Sequence, residues 1–314
     1  MNNDIEIRDG QVEFLTGGAR VRALSHANIR FPAGQLTALV GESGSGKSVL
    51  GLSVLRLLPA TARVSGSCLY GGLDLYRCSE AELRSVRGRV IGLIPQNPLQ
   101  SLNPVLRLGR QLAEPLTAHL GLDREQAAGQ VSRSLGEFGF ADPRAIMDSY
   151  SFQLSGGMNQ RVATCMGLAC GPDWVIADEP TKGLDAILRR QVFQVLSKAR
   201  DSGAGSMIVI THDLLLARKL CQRAAVLCRG QILEQGPAEE VFARPLHPYT
   251  QGLLASLPEA GMVPIPPARK ERKGEDSDCP FYPRCPKANA ACREETLRDT
   301  PVESGRIVRC MLYA

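Results

Sequence analysis

Apolar runs of strand length recur along the chain and alternate with segments of helical periodicity. The runs lie at residues 36–40, 90–94, 174–177 and 207–210, and each is short enough for a buried strand. Residues 48–58 follow the first run with leucines and valines at helical spacing. This alternation predicts an α/β fold with a largely parallel central sheet.

Three other stretches depart from this alternation. The residues from 105 to about 160 have helical periodicity and no strand-like run, which predicts an inserted helical subdomain. Residues 246–278 read as an extension helix followed by a linker rich in proline, glycine and charge, and residues 279–314 as a small cysteine-rich appendage. Residues 1–245 then form the main domain.

Composition narrows the class of protein. The 314 residues are 44% hydrophobic and 22% charged with a formal charge of +5, which is typical of a globular protein. No basic stripe with interleaved aromatic residues is present, so we do not expect a nucleic-acid partner. No apolar run approaches the roughly 18 residues that span a bilayer, and the polar start does not resemble a signal peptide. We therefore expect a cytosolic chain whose ten cysteines are reduced.

Residues 41–48 read Gly-Glu-Ser-Gly-Ser-Gly-Lys-Ser and lie between a predicted strand and a predicted helix. This is the pattern of a phosphate-binding loop, in which glycines let backbone N–H groups face the phosphates. The lysine reaches the β- and γ-phosphates, the last serine reaches Mg²⁺, and the helix N-terminus favours an anion. The predicted nucleotide-binding residues are Gly41, Glu42, Ser43, Gly44, Ser45, Gly46, Lys47 and Ser48.

Two carboxylates end the apolar run at 174–177. Asp178 would lie at the carboxyl edge of the sheet, where the phosphate-binding loop also lies, and is expected to hold Mg²⁺. Glu179 is placed to activate the attacking water. Two acidic residues after a strand are commonly mere strand termination, but the phosphate-binding loop upstream favours the catalytic interpretation.

With these motifs the chain resembles the ATP-binding-cassette family over about residues 5–258. The segment Leu154, Ser155, Gly156, Gly157 and Met158 is similar to the family's signature motif. The resemblance implies a P-loop NTPase cassette with an antiparallel N-terminal β subdomain. It also implies that the signature closes over the γ-phosphate bound by a second ATPase subunit, either identical or homologous.

Further positions resemble family motifs in the family's order. Gln96 is similar to the Q-loop glutamine, which links Mg²⁺ and the γ-phosphate to the transmembrane partner, and Asp185 to the D-loop aspartate at the dimer seam. His212 is similar to the switch histidine that contacts the γ-phosphate. Phe14 is either the aromatic that stacks on adenine or an ordinary residue of a strand core. Asn159 departs from the pattern, because a basic residue is common there.

Residues 96–104 and 247–254 resemble motifs of the dipeptide, oligopeptide and nickel importer ATPases. This resemblance implies an ATPase at the cytoplasmic face of the bacterial inner membrane that drives two transmembrane permease subunits. An external substrate-binding protein would act with them indirectly. Peptide is the leading cargo, and nickel or a metal chelate is the alternative.

Four cysteines lie close together near the end of the chain: Cys279, Cys285, Cys292 and Cys310. In a reducing compartment they favour a metal over disulfides, and the absence of a Cys-x-x-Cys pair argues against an ordinary zinc ribbon. Four thiolates can hold a [4Fe–4S] cluster, but the residues alone leave Zn²⁺ open. The resemblance favours the cluster, with a structural or docking role.

Three rival functions share parts of this motif set. DNA-repair ATPases insert long coiled coils between Q-loop and signature, and no sustained heptads occur between Gln96 and Leu154. Translation-associated cassette proteins carry two cassettes, whereas this sequence has one phosphate-binding loop. A non-catalytic metal-sensor subunit would not need both Glu179 and His212.

Overall fold

The computed structural model describes residues 3–181, 192, 205–267 and 278–314. The four apolar runs are strands, as predicted, each within one residue of its expected bounds. The described strands are β1 (Ile5–Thr16), β2 (Ala19–Phe31), β3 (Leu36–Val40), β4 (Ala62–Tyr70), β5 (Leu73–Asp74), β6 (Ile91–Ile94), β7 (Trp174–Asp178), β8 (Ser206–Ile210), β9 (Arg223–Cys228), β10 (Gln231–Pro237), β11 (Thr300–Val302) and β12 (Arg306–Val308).

The helix predicted over residues 48–58 ends early, at Val54. Arg56 has a positive φ of 50°, a conformation that ends a helix. The described α-helices are α1 (Lys47–Val54), α2 (Glu80–Val86), α3 (Pro98–Ser101), α4 (Leu108–Leu120), α5 (Arg124–Glu137), α6 (Pro143–Asp148), α7 (Gly156–Leu168), α8 (Leu214–Leu220), α9 (Ala238–Ala243), α10 (Pro248–Ala255) and α11 (Ala291–Glu294). Short 3₁₀ helices span Ser151–Gln153, Pro258–Ala260, Tyr282–Arg284 and Glu303–Gly305.

The larger sheet has the strand order β11-β12-β10-β9-β3-β8-β7-β6. The strands from β9 to β6 in this order pair in parallel, and β10, β12 and β11 continue the sheet antiparallel. Every residue of β3, β7 and β8 is buried, as expected for strands covered on both faces. Because parallel strands share one carboxyl edge, the loops after β3, β6, β7 and β8 meet there.

The smaller sheet, with the order β2-β1-β4-β5, is antiparallel and forms the N-terminal subdomain that the resemblance implied. The inserted helical subdomain is also present, since α4 to α7 enclose a core of their own. That core includes Leu108, Leu112, Leu116, Val131, Leu135 and Val162. No helix among the described residues combines the length and the apolarity that crossing a membrane requires.

The cysteine-rich appendage joins the larger sheet. Its strand β12 pairs with β10 through Glu234 and Val308, and through Gln235 and Ile307. Phe281 is 1% exposed and packs in the core beneath this sheet. The appendage therefore shares both the sheet and the core of the main domain, and the boundaries at 245 and 278 stay predictions.

Candidate nucleotide site and cysteine cavity

The loop between β3 and α1 is shaped by three glycines with positive φ. The φ values are 149° at Gly41, 77° at Gly44 and 100° at Gly46. A Cβ at Gly41 would collide with the Leu227 carbonyl oxygen, and one at Gly46 would lie 2.7 Å from the Ala23 carbonyl oxygen. Glycine is thus required at both positions by the neighbouring backbone as well as by the dihedral angle. The loop is held by its surroundings in the shape that a phosphate cradle needs.

The Lys47 side chain binds the inner side of this loop. Its Nζ donates hydrogen bonds to the carbonyl oxygens of Gly41 at 2.9 Å and Glu42 at 2.8 Å, and the residue is only 7% exposed. Burial lowers the pKa of Lys47, while the carboxylates of Glu179, Asp178 and Glu42 act in the opposite direction. The ammonium group is a buried positive charge surrounded by acidic side chains.

Ser48 and Asp178 bring two oxygen atoms together beside this charge. The Ser48 hydroxyl donates to Asp178 Oδ1 at 3.0 Å, and Asp178 is the buried last residue of β7. Oxygen donors of this kind are the ligands that Mg²⁺ prefers. The pair therefore fits the predicted magnesium site.

Glu179 stands on a sharp turn directly after β7. Its φ is 49°, a left-handed conformation that is strained for a residue with a side chain. Its N–H donates to the Ile210 carbonyl oxygen at 2.9 Å, and its carboxylate lies 2.8 Å from His212 Nδ1. Glu179 is buried whereas His212 is exposed. A buried carboxylate oriented by an accessible imidazole is an arrangement suited to general-base chemistry.

Of three other predicted residues, the structure describes Gln96 and Phe14 but not Asp185. Gln96 is exposed and lies just beyond β6, whose Ile94 pairs with Ala177, so it is close to the Asp178 edge. Phe14 is half-buried on β1 and packs against the core of the N-terminal sheet, which suits the strand-core alternative. Its adenine-stacking role stays a prediction. Asp185 and the rest of the D-loop lie outside the described residues.

The predicted signature segment forms the N-terminus of α7. Ser155 caps the helix, and its hydroxyl accepts a hydrogen bond from the Met158 N–H at 3.3 Å. Ser155 and Gly156 are exposed, whereas Leu154, Gly157 and Met158 are half-buried. An exposed helix N-terminus can receive an anion from outside the subunit.

Asn159 has a role that the sequence analysis missed. It is fully buried, and its Nδ2 donates to the carbonyl oxygens of Ser151 at 2.9 Å, Leu154 at 3.2 Å and Ser155 at 3.2 Å. The residue that departs from the family pattern thus holds the turn that presents Ser155. Nothing in its local sequence indicates these contacts.

The four appendage cysteines line one small cavity of about 20 Å³, together with His247 and Leu297. No disulfide joins any of the four. Burial is the main cause that raises the pKa of Cys279 to about 12, and the other three cysteines contribute in the same direction. A metal charge is the usual means of converting such thiols to thiolates. Among the described residues, no group of three or more His, Cys, Asp or Glu side chains is arranged as a metal site.

His247 connects this cavity to the start of α10. Its Nδ1 accepts a hydrogen bond from the Tyr249 N–H at 2.9 Å, and burial lowers the pKa of His247 to about 3. The neutral ring therefore carries its proton on Nε2. That atom lies 4.0 Å from the sulfur of Cys279, so an N–H group faces the thiol.

A second connection, also missed by the sequence analysis, joins the appendage to the phosphate-binding loop. Both terminal nitrogens of Arg284 donate to the Glu42 carboxylate, at 2.7 and 3.0 Å. The Glu42 N–H donates to the Tyr249 hydroxyl at 2.9 Å, and the Tyr249 ring contacts Phe281 with centroids 5.2 Å apart. Separation along the chain hid this contact, and the His-Pro-Tyr run at 247–249 was its only signal.

Comparison with known proteins identifies the family. Residues 24–182 match the model for ABC transporters, and residues 233–292 match that for the C-terminal region of oligopeptide/dipeptide transporters. The chain belongs to the ABC transporter family. This ABC ATPase is 37% identical to a probable peptide ABC transporter ATP-binding protein of Sinorhizobium fredii, over 98% of this chain and 94% of the relative. It is 36% identical to the oligopeptide transport ATP-binding protein OppD of Salmonella typhimurium, over 98% and 92%.

Solved structures agree with the fold of this ABC ATPase. The dimeric, ADP- and phosphate-bound ATP-binding cassette MJ0796 superposes with a TM-score of 0.68 at 25% identity, covering 74% of this chain and 98% of that one. The cbiO1 protein of Clostridium perfringens gives a TM-score of 0.61 at 25% identity, covering 78% and 92%. The predicted cassette fold and the predicted role as the ATP-hydrolysing subunit of an ABC transporter are confirmed.

Proposed function

We propose that Glu179 is the general base for ATP hydrolysis, that His212 orients it, and that Ser48, Asp178 and Gln96 hold Mg²⁺. The observation that carries this proposal is the 2.8 Å contact of His212 with Glu179, directly beyond the Ser48–Asp178 pair. Lys47 and the loop backbone would bind the phosphates. Mg²⁺, when bound, would neutralise phosphate charge.

Binding and turnover can be separated by two variants. Lys47→Ala should abolish Mg–ATP binding, because it removes the buried ammonium. His212→Ala should keep binding and lower turnover by roughly ten- to a hundredfold, because it only releases the base. Loss of binding in His212→Ala, with unchanged turnover per bound ATP, would contradict the assignment.

We propose further that the active unit contains a second ATPase subunit, identical or homologous. Each subunit would offer Leu154–Met158 and Asp185 to the other's nucleotide. The exposure of Ser155 and Gly156 at the end of α7 supports this. The specific ATPase activity should rise with protein concentration or on addition of the partner. Full activity from a strictly monomeric preparation would contradict the shared site.

For the cargo we propose di- or oligopeptides, imported through two permease subunits at the cytoplasmic face of the bacterial inner membrane. The match of residues 233–292 and the peptide-transport roles for which the relatives are named support peptides. The test is ATPase activity in proteoliposomes that contain the copurified permeases and their external binding protein. Stimulation by short peptides is expected. Stimulation by Ni²⁺ or a nickel chelate instead would select the alternative cargo.

Finally, we propose that Cys279, Cys285, Cys292 and Cys310 hold one [4Fe–4S] cluster. The four cysteines line one cavity, which supports a metal group that they share. Their spacing, which resembles that of importer ATPases with such a cluster, favours [4Fe–4S] over Zn²⁺. The cluster would supply an inorganic cross-link for a segment with little core of its own.

Elemental analysis tests this proposal. Protein purified without oxygen should be brown and contain about four irons and about four sulfides per chain. Colourless protein with one zinc per chain would favour the Zn²⁺ alternative. Protein with neither metal and an ordered appendage would show that the cysteines are not a metal site.

A further inference from the structure

The cysteine-rich appendage reaches the phosphate-binding loop through Arg284. This residue directly precedes Cys285, and its guanidinium contacts both oxygens of Glu42, at 2.7 and 3.0 Å. The Arg284 side chain is 20% exposed and that of Glu42 is 39% exposed. A two-point contact between guanidinium and carboxylate fixes orientation as well as charge. It is therefore a stronger constraint than an ordinary surface ion pair.

Glu42 places a negative charge in a loop that is expected to bind negatively charged phosphates. Its carboxylate lies in the loop that would wrap the phosphates, and its charge is felt at Lys47 together with those of Asp178 and Glu179. A bound nucleotide would add further negative charge to this set. Of these three carboxylates, Glu179 contacts His212, and Asp178 would contact bound Mg²⁺. The carboxylate of Glu42 is paired with the positive charge of Arg284.

Arg284 is held in place by further contacts. Its Nε donates to the Pro266 carbonyl oxygen at 2.9 Å, and its guanidinium lies 5.9 Å from the centre of the Phe281 ring. Phe281 in turn packs on Tyr249, whose hydroxyl accepts a hydrogen bond from the Glu42 N–H. The backbone and the side chain of Glu42 are thus both bound by residues that follow position 245 in the chain.

We propose that Arg284 is the counter-ion that neutralises Glu42 beside the bound phosphates, so that the appendage supplies a positioning residue to the nucleotide site. The inference rests on the proposed nucleotide site but not on which metal the cysteines hold. Full nucleotide affinity then requires the appendage to be folded against the loop.

The test is equilibrium binding of Mg–ADP to the full-length chain at low ionic strength, by titration calorimetry. Mg–ADP is chosen because it reports on the phosphate-binding loop without turnover. Arg284→Met should weaken binding about tenfold, since it leaves Glu42 uncompensated. Adding Glu42→Gln to that variant should restore the affinity to within about threefold of wild type, since it removes the repelling charge. Arg298→Met, at an exposed arginine of the same appendage, should have no effect.

Two further measurements distinguish an effect of the Arg284 charge on Mg–ADP affinity from an effect of unfolding the appendage. Arg284→Lys keeps the positive charge but not the two-point contact, so it should weaken binding clearly less than Arg284→Met does. The tenfold effect of Arg284→Met should shrink as salt is raised, because screening weakens repulsion between partly exposed charges. A variant that only unfolds the appendage would show neither the salt dependence nor the rescue.

Wild-type affinity in Arg284→Met, or failure of Glu42→Gln to restore it, would overturn the inference while leaving the nucleotide site intact. A tenfold loss in Arg284→Lys would overturn it as well. Absence of Mg–ADP binding in the wild-type chain would overturn the proposed nucleotide site itself.

Discussion

The nucleotide site and the cysteine cavity are built in opposite ways. The phosphate-binding loop is a continuous stretch of backbone fixed by buried strands, and the collision at Gly41 shows how closely its surroundings constrain it. The cysteine cavity is lined by side chains from several short segments, among them the four cysteines between residues 279 and 310. Its support within the appendage consists of few buried apolar side chains, chiefly Phe281, Leu297 and Val308.

The phosphate-binding loop therefore has its shape before a ligand binds, whereas the shape of the cysteine-rich appendage depends on the group it binds. We expect the loop to keep its shape without nucleotide, because the protein itself fills the space around it. We expect the appendage to lose its shape without a metal group, because short segments with thin cores need a cross-link. The contact between Arg284 and Glu42 makes the first region partly dependent on the second. Four variants test this contrast, in order of decreasing expected effect on nucleotide chemistry.

Glu179→Gln should lower ATP turnover by about a hundredfold or more while Mg–ATP still binds. The amide cannot accept a proton from water, but it leaves the frame of the site unchanged. Measurements of phosphate release and of Mg–ATP binding on the same preparation test the lowered turnover and the retained binding. Glu125→Gln, at an exposed residue of α5, is the control. Near-normal hydrolysis by Glu179→Gln would exclude Glu179 as the base.

Gly41→Ala should weaken nucleotide binding roughly thirtyfold or more, because its Cβ would force the loop away from the Leu227 carbonyl. Gly44→Ala is the matched comparison, since it has open space around it and only the cost of its φ of 77°. That cost of about 1 kcal/mol corresponds to roughly fivefold. Equal losses of Mg–ADP affinity in the two variants would show that the surrounding frame does not set the loop's shape.

Asn159→Ala should lower the ATPase activity of the assembled transporter about tenfold, because three carbonyl oxygens around Ser155 would each lose the hydrogen bond from Asn159 Nδ2. The Mg–ADP affinity of the isolated subunit should not change, since the phosphate-binding loop is untouched. If that affinity fell as much as the activity, Asn159 would be supporting the whole cassette and not the signature turn.

Cys285→Ser should have the smallest effect on the nucleotide, with Mg–ADP affinity reduced about fivefold through the release of Arg284. Its main effect should be local. Amide hydrogen exchange should speed up across residues 278–314 and stay slow in β3, because only the cross-linked region has lost its support. Equal loosening of β3 would show that the two regions are one cooperative unit. Unchanged exchange in the appendage would show that the cysteines do not support it.

The parts of the molecule that were predictable from sequence are those encoded by local pattern. The strand at 36–40, the glycines at 41, 44 and 46, and the carboxylates after β7 each carry a short-range signature of their structure. The early end of α1 was not predictable, because Leu55–Leu58 continue the apolar spacing while Arg56 adopts a left-handed backbone.

Contacts between residues that are far apart in the sequence could not be predicted either. The pairing of β12 with β10 and the contact of Arg284 with Glu42 join segments that are remote in sequence. Neither contact leaves a periodicity or a spacing to detect. Asn159 is a related case, since its three hydrogen bonds depend on how a turn folds around it.

The position of β3 in the larger sheet also affects how the molecule is made. This strand is synthesised early, yet both of its neighbours, β8 and β9, belong to the second half of the chain. A ribosome must therefore translate past residue 210 before Leu36–Val40 can find its first partner, and past residue 228 before it can find the second. Such non-local pairing folds slowly and leaves apolar segments exposed meanwhile. The strand that leads into the phosphate-binding loop thus stays without its sheet partners until about two thirds of the chain has been translated.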